Sequence, residues 1–406
     1  MDKKQNPKLD PSFIDSHAKE IVRRLQDEGF KAFLVGGCVR DILAGLKPKD
    51  FDIATNAQPP QVKRKIPGSY VIGKRFRLVL VKRGITQFEV ATFRREAKNE
   101  ELVEGETPFG DNFFGTEEED AKRRDFTINA MFYDPIRQNL VDYCGGLEDI
   151  ENRMIRIIGD PDTRLCEDPI RILRALRLAH KLNFSIEPSL RLSMQKNAGM
   201  LAKSVLPRRR EEFLKILRLS EPAVTFHELH DLGILATISP RLHSLLDSRE
   251  KGDAFDSYLQ QIRRFSIDDA NPLYLFGALV LAWARAENIS EVEDSDECLK
   301  MMRDELGMFK HEQSSIIKAL QLEHSLKQID AFERRGARRK LGFLKNEAFP
   351  LALHIAELDY QLRPEEVKYW KDTYLKLKPQ LSSIRYSEIS EADEKLSDDT
   401  ETQPTE

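Results

Sequence analysis

Two aspartates, Asp50 and Asp52, stand two residues apart, behind a pair of glycines, Gly36 and Gly37. In an extended strand that spacing turns both carboxylates to one face. Two close carboxylates repel each other unless a cation sits between them. Oxygen-only ligands beside a phosphate favour Mg²⁺. The glycines interrupt the apolar run Phe33, Leu34, Val35 and let the backbone approach a ligand closely. Residues Val39 to Leu43 continue as a predicted short helix, whose free N–H groups and dipole favour an anion. Arg40, in its first turn, brings a guanidinium suited to phosphate. The same residues would also make a plain turn into an ordinary edge strand, so the choice rests on the rest of the chain.

A second group is Arg123, Arg124, Asp125 and Asn129. Asp125 and Asn129 are four apart and share a face of a predicted helix. Projecting from an apolar helix they need polar partners, and a ribose hydroxyl serves as both donor and acceptor. A third group opens a helix predicted from Glu167, with Pro169 tolerated in its first turn. Ile170, Leu173, Leu176 and Leu178 line its apolar side, and Arg171, Arg174 and Arg177 form a polar stripe. Asp168 and Arg171 present an acceptor and a donor fork side by side, or else an ordinary surface ion pair. Glu89, on a predicted strand, is either a third carboxylate for the metal site or a solvent-facing strand residue.

These groups need a scaffold. Phe13, Ile14, Ala18, Ile21, Val22 and Leu25 recur at helical spacing between Pro11 and Gly29. Strands are predicted at Phe33–Val35, at the Asp50–Asp52 segment, and at Tyr70–Ile72, Arg77–Lys82 and Gln87–Thr92, the last two joined by a hairpin turn at Gly84. About five strands among helices make an α/β or α+β domain with a mixed sheet. Residues 94–119 form a long polar loop, a feature usually functional or mobile. Beyond Ser189 the pattern is one amphipathic helix after another. His230-Asp231 is a weak echo of a metal phosphohydrolase signature, but no second His/Asp cluster accompanies it, so both are taken as ordinary helix residues. Phe332 to Lys345 interleaves basic residues with Phe332 and Phe343, which suits a nucleic-acid strand or a solvated helix face.

The composition bounds the function. With 406 residues, 33% charged and 40% hydrophobic, the chain holds two or more globular domains. No apolar run approaches a membrane span, and the polar N-terminus lacks a signal-peptide core, so a cytoplasmic protein without membrane partners is expected. Cys38, Cys144, Cys166 and Cys298 are scattered, with no CxxC pair, which disfavours zinc and disulfides. Net charge is −4, but the segment from Tyr386 carries −7, leaving the rest at +3. That balance is compatible with RNA without announcing it. The acidic tail at 386–406 and residues 1–11 are expected to be disordered.

Taken together, LVGGCVRDILAGLKPKDFDIAT, RRDFTIN and EDPIRILRALR resemble the class II nucleotidyltransferases of the polymerase-β superfamily, that is, bacterial poly(A) polymerases and tRNA CCA-adding enzymes. The resemblance covers roughly residues 15–240. VIGKRFRLVLV with EVATFR, and LVDYCGGLEDIENRMIRIIGDPDTRLCEDPIR, look closer to the poly(A) polymerases, whereas the acidic tail departs from their basic one. The resemblance implies a catalytic head (12–145), a neck that recognises the base (146–220) and an all-α body (221–385), with an RNA 3′ end entering between head and body. It implies that Gly36, Gly37 and Arg40 hold the triphosphate and that Asp50 and Asp52 bind two Mg²⁺ ions. Asp125 would be a further active-site acid, contacting the nucleotide with Asn129 and Arg124. Asp168 and Arg171 would read the base edge, with Arg174 nearby. The implied reaction is attack of an RNA 3′-hydroxyl on the α-phosphorus of ATP. The alternatives are CCA addition to tRNA and a non-catalytic RNA-binding module, the latter disfavoured by the intact acids.

Overall fold

The strand β1 (Ala32–Val35) lies beside the central strand of a seven-stranded sheet and pairs antiparallel with that strand, β2 (Asp52–Thr55), on one side and with β6 (Met131–Asp134) on the other. The computed structural model describes residues 9–73, 78–96, 113–264 and 271–377. Its contacts divide the chain into two compact units, Met1–Ser204 and Val205–Glu406.

In the first unit the strand order is β3-β4-β5-β2-β1-β6-β7, with β3 (Ser69–Ile72), β4 (Leu78–Arg83), β5 (Thr86–Thr92) and β7 (Asn139–Asp142). The pairing β2·β5 is parallel and the others are antiparallel, so the sheet is mixed, as expected. β4 and β5 form the expected hairpin, turning at Gly84 with φ +59°. The strand count is seven rather than about five. β7 answers to the strand and turn that the LVDYCGG segment predicts, and β6, the unexpected strand, lies in a segment whose sequence has helical character. Every residue of β6 is buried, and a strand covered on both faces shows no alternation.

One sheet face packs on α1 (Ser16–Asp27), whose Ala18, Ile21, Val22 and Leu25 are buried. The helix starts at Ser16 rather than Pro11. Asp15 caps it by accepting from the N–H groups of His17 and Ala18 at 2.8 and 3.2 Å, which satisfies donors a first turn leaves open. Pro11–Phe13 is instead a separate 3-10 turn capped by Asp10. Leu9 is buried, so the end of the stretch expected to be disordered is packed. The other face carries Val35, Ala54, Phe93, Ala130 and Phe132, with Phe33 packed against them. The Phe33 and Phe93 rings meet Phe132 edge-on at 5.9 and 6.0 Å, a favoured aromatic geometry. Most of the long loop at 94–119 and the acidic tail lie outside the described residues.

The remaining helices of this unit that matter for the site are α2 (Gly37–Leu43), α3 (Pro59–Lys65), α4 (Glu117–Lys122), α5 (Gly146–Glu151), α6 (Pro161–Glu167), α7 (Ile170–Leu182) and α8 (Pro188–Asn197). The helix predicted from Glu167 is broken in two at Asp168, which is extended (φ −144°, ψ 90°). The residue before a proline is pushed out of the α region, and Pro169 follows.

The second unit is helical. It runs through α9 (Leu206–Leu217), α10 (Pro222–Asp231), α11 (Ile234–Ile238), α12 (Pro240–Leu246), α13 (Arg249–Arg264), α14 (Pro272–Ala286), α15 (Asp296–Lys300), α16 (Lys310–Leu326), α17 (Ile329–Glu333), α18 (Ala337–Leu344) and α19 (Phe349–Leu358), with a further helix at 364–377. The basic-aromatic run at Phe332–Lys345 divides between α17 and α18. Its aromatics are core: Phe332 is buried, and Phe332 and Phe343 pack on Trp370 at 4.8 and 5.5 Å. They are not available as stacking platforms for bases, while Arg334, Arg338, Arg339 and Lys345 remain exposed. Among the described residues, no helix is long and apolar enough to cross a membrane.

Candidate active site

Gly36 is the hinge between β1 and α2. Its backbone (φ 71°, ψ −128°) is closed to side-chain-bearing residues, and a Cβ there would lie 3.2 Å from Arg124 Nη1 and 3.9 Å from Asp52 Oδ2. The glycine therefore lets three elements converge: the β1–α2 turn, the start of β2, and the segment after α4. Gly37 follows as the first residue of α2, where a Cβ would meet Arg40 Nη2 at 3.5 Å.

Asp52 opens β2 and stands beside Glu89 in the parallel register with β5, so the two side chains share a face. Asp52 is open to solvent on one side and crowded by protein on the others. Burial, the Glu89 charge and the Asp50 charge push its carboxyl up to about 6, against the pull of Arg124. Asp50 is not in the strand: β2 begins at Asp52. Asp50 is exposed and lines a cavity of about 640 Å³ with Lys47, Lys49, Thr86 and Gln87. The shared-face argument from i and i+2 spacing thus holds for Asp52 with Glu89, while Asp50 joins them through its charge.

Asp125 is treated oppositely. Its Oδ2 accepts from Arg174 Nε at 2.8 Å and Nη2 at 2.5 Å. Its Oδ1 accepts from Phe126 N at 2.8 Å and Asn129 Nδ2 at 3.0 Å. Burial alone would raise the carboxyl, but Arg174 and these donors outweigh it and hold it down at about 2. Asp125 and Asn129 do meet, though not along an α-helix. Asp125 sits in a bend, Phe126 bridges to Ile157, and Thr127–Asn129 is a 3-10 turn.

Asn129 passes the connection to α2. Arg40 is buried and donates from Nη1 to Asn129 Oδ1 at 2.6 Å, and from Nε and Nη2 to Asp41 Oδ1 at 2.9 and 2.6 Å. Asp41 in turn accepts from Lys181 Nζ at 2.7 Å. Arg124 lies over the Phe132 ring at 5.3 Å, donates to the Asn129 carbonyl at 3.1 Å, and pairs with buried Asp120 at 2.9 Å. Arg171 is also buried and gives Nη1 to the Arg164 carbonyl at 2.6 Å and to Glu167 Oε2 at 3.0 Å. Asp168 therefore neighbours Arg171 across a helix break, where the sequence predicts a pair on one helix.

Several residues that shape the site carry no sequence signal of their own. Asp120 accepts from Arg123, Arg124 and the N–H of Arg94. Arg164 donates to the carbonyls of both Arg123 and Arg124 at 2.9 Å, fixing the segment that carries Asp125. Gly146 is a spacing requirement, since a Cβ there would lie 2.3 Å from the Thr127 carbonyl oxygen. Asp120 pairs locally, at i+3 and i+4, and reads as an ordinary helix charge, while Asp41 and Arg164 look the same until their contacts across tens of residues are seen. Gly146 lies in the CGG run, visible as a turn but not as a close approach.

The donor set of Asp50, Asp52 and Glu89 is carboxylate oxygen only, which fits a hard divalent cation. The raised Asp52 reflects burial first and the neighbouring Glu89 and Asp50 charges next, only partly offset by Arg124. Asp125 has already been compensated by Arg174.

With this geometry in hand, known proteins sharpen the reading. Residues 32–156 match the family described as "Poly A polymerase head domain", and residues 183–246 match "Probable RNA and SrmB- binding site of polymerase A". Poly(A) polymerase I of Haemophilus influenzae is 37% identical over 285 residues, 66% of this chain and 62% of that protein. The Salmonella typhi enzyme of the same name is 38% identical over 280 residues, 66% of this chain and 60% of that protein. The chain belongs to the nucleotidyltransferase family of poly(A) polymerases and CCA-adding enzymes. Its CCA-adding branch is represented by the Bacillus licheniformis enzyme, 38% identical over 201 residues, half of either chain. The fold is shared with the Bacillus stearothermophilus CCA-adding enzyme solved in complex with CTP (TM-score 0.62, 24% identity, 89% of this chain and 82% of that one). The aligned part spans about three fifths of the length of the poly(A) polymerases it matches.

Proposed function

We propose that this chain is a template-independent adenylyltransferase that extends RNA 3′ ends with AMP from ATP. The observation that carries this reading is a difference in identity over equal lengths. Across about 280 residues the chain is 37–38% identical to poly(A) polymerases, against 31% over 284 residues for the CCA-adding enzyme of Bacillus pumilus. CCA addition to tRNA is the second reading, favoured by the 38% identity to CCA-adding enzymes over 201 and 209 residues.

In this reading the backbone at Gly36 and Gly37 seats the triphosphate at the start of α2, where helix N–H groups favour an anion. Arg40 fixes Asn129 and keeps positive charge beneath that turn. Asp50 and Asp52, with Glu89 alongside, would hold Mg²⁺. The bound ions supply charge neutralisation and a more acidic 3′-hydroxyl. Arg124, anchored by Asp120 and Phe132, faces the same corner and balances developing charge without a covalent nucleophile. Asp125 and Asn129 orient the ribose side of the nucleotide, with Arg174 keeping Asp125 ionised. Asp168 and Arg171 at the α6–α7 break would read adenine, the carboxylate accepting from N6 and the guanidinium donating to N1. Discrimination then follows because a mismatched base leaves buried polar groups unpaired. The second unit, with its exposed arginines on α17 and α18, would hold the RNA backbone.

The test is incorporation of labelled nucleotides into a generic RNA and into tRNA lacking its CCA end. Long extension with ATP alone on generic RNA supports the proposal. Ordered C, C, A addition restricted to tRNA would replace it with the second reading.

A further inference from the structure

The sequence leaves His230 without a role, because no second His/Asp cluster is visible near it along the chain. Folding supplies one. His230 lies in the last turns of α10, His243 lies on α12, and Asp247 caps the C-terminus of α12. His243 and Asp247 are four apart and so share a face. One ligand atom from each of His230, His243 and Asp247 falls within 4.8 Å of the others. We propose that His230, His243 and Asp247 form a transition-metal site, of the Zn²⁺ class, that braces α10 against α12 across the short α11.

The observations are specific to these residues. The His230 and His243 rings lie 4.7 Å apart, tilted by 33°. His230 Nε2 is 2.9 Å from Asp247 Oδ1, while its other nitrogen, Nδ1, is 3.5 Å from Asp231 Oδ1. One nitrogen is thus directed into the cluster and the other toward a carboxylate. This is the arrangement in which an outer acid sets the tautomer of a metal-binding imidazole. His243 Nδ1 is buried and has no hydrogen-bond partner among the described residues, so the ring is not already committed there. Two imidazoles and one carboxylate suit a borderline ion such as Zn²⁺ or Co²⁺ rather than Mg²⁺. Ligand atoms about 2.0–2.2 Å from one ion stand roughly 3.3–3.5 Å apart, so the 2.9 Å His230–Asp247 contact opens slightly and the wider separations, all within 4.8 Å, close, both within reach of side-chain rotation. Asp247 is exposed, which leaves an open coordination position for water. His227, one turn earlier on α10, pairs with Asp256 at 2.9 Å and stands outside the cluster.

The experiment uses the full chain stripped of metal. Zn²⁺ binding is followed by calorimetry, Co²⁺ binding by visible absorption, and thermal unfolding is recorded with and without Zn²⁺. The expected result is one Zn²⁺ bound per chain, a Co²⁺ spectrum of low coordination number, and a rise in melting temperature with Zn²⁺ concentration. His243→Ala and Asp247→Asn remove all three signals. Asp231→Asn weakens binding about tenfold, as for an outer partner, and His227→Ala leaves it unchanged. Asp247 is exposed, so Asp247→Asn keeps the fold intact and its result stands even if His243→Ala misfolds. Failure of the wild type to bind Zn²⁺ would overturn the proposal. So would signals that survive Asp247→Asn but vanish in Asp52→Asn, because the ion would then sit at the acidic corner of the sheet.

Discussion

Asp52 and Asp125 lie in one unit, and each is joined to the Arg124 segment, yet the fold treats them in opposite ways. Asp125 is given Arg174, the Asn129 amide and a backbone N–H, and its carboxyl is held at about 2. Asp52 is crowded by protein and has the acids Glu89 and Asp50 as neighbours, so burial first and like charge second push its carboxyl to about 6. A protein optimised only for stability would not leave the second arrangement uncompensated. The contrast separates an acid already neutralised by Arg174 from one crowded by burial and like charge, and in the proposed reading it is the second that takes the cation.

The largest expected effect is on activity. Asp52→Asn should lower nucleotide addition by about 10³-fold or more, the scale of losing several kcal/mol of metal-based stabilisation, while circular dichroism stays unchanged. The same variant should melt higher than wild type at pH 7 without metal. At pH 4, where Asp52 is protonated anyway, the difference should vanish. A variant that melts lower at pH 7 would contradict the assignment of strain to this acid.

Asp125→Asn removes the charge that Arg174 meets and weakens the acceptor for Asn129 and the Phe126 N–H, so it should destabilise the fold by about 1–2 kcal/mol. That is the reverse of the Asp52 result, and denaturant titration of the two variants side by side makes the comparison direct. Gly146→Ala should cost about 2–3 kcal/mol through the clash with the Thr127 carbonyl, displacing the turn that carries Asn129. An unchanged unfolding midpoint would show that this turn yields.

The pH dependences should also diverge. The folded state favours protonated Asp52, so its contribution to stability is fully present below about pH 4 and is lost as pH rises through about 6. Asp125 works the other way: its contribution is present above about pH 4 and is lost as pH falls through about 2. At the proposed site Mg²⁺ would compete with the Asp52 proton, so apparent Mg²⁺ affinity should fall about tenfold per pH unit below 6. A smaller effect is expected at the helix break. Arg171→Ala should reduce the preference for ATP over GTP by about tenfold, measured as a ratio of kcat/KM values so that general loss of activity cancels.

What could be read from the chain alone follows a physical pattern. Gly36, Gly37, Arg40 and Asp52 were legible because a strand–turn–helix–strand needs glycine and apolar residues at fixed places. Ala18, Ile21, Val22 and Leu25 were legible because one face of α1 is wet. β6 was not, since it is buried on both sides. The α6–α7 break was misread even though Asp168 precedes a proline, because the apolar periodicity of Ile170 to Leu178 invites extension backwards. The contacts of Arg164 with the Arg123 and Arg124 carbonyls and of Asp41 with Lys181 were invisible, because a charge on a helix does not announce which distant group it meets. The same limit hid the contact between His230 and Asp247.

The most direct test of the central claim is incorporation of labelled ATP and CTP into an unstructured RNA and a CCA-less tRNA, with Mg²⁺ titrated. Multi-residue tailing of the unstructured RNA with ATP alone, abolished by Asp52→Asn, is the predicted outcome. Transfer that persists in Asp52→Asn, or no transfer to either RNA, would contradict the account.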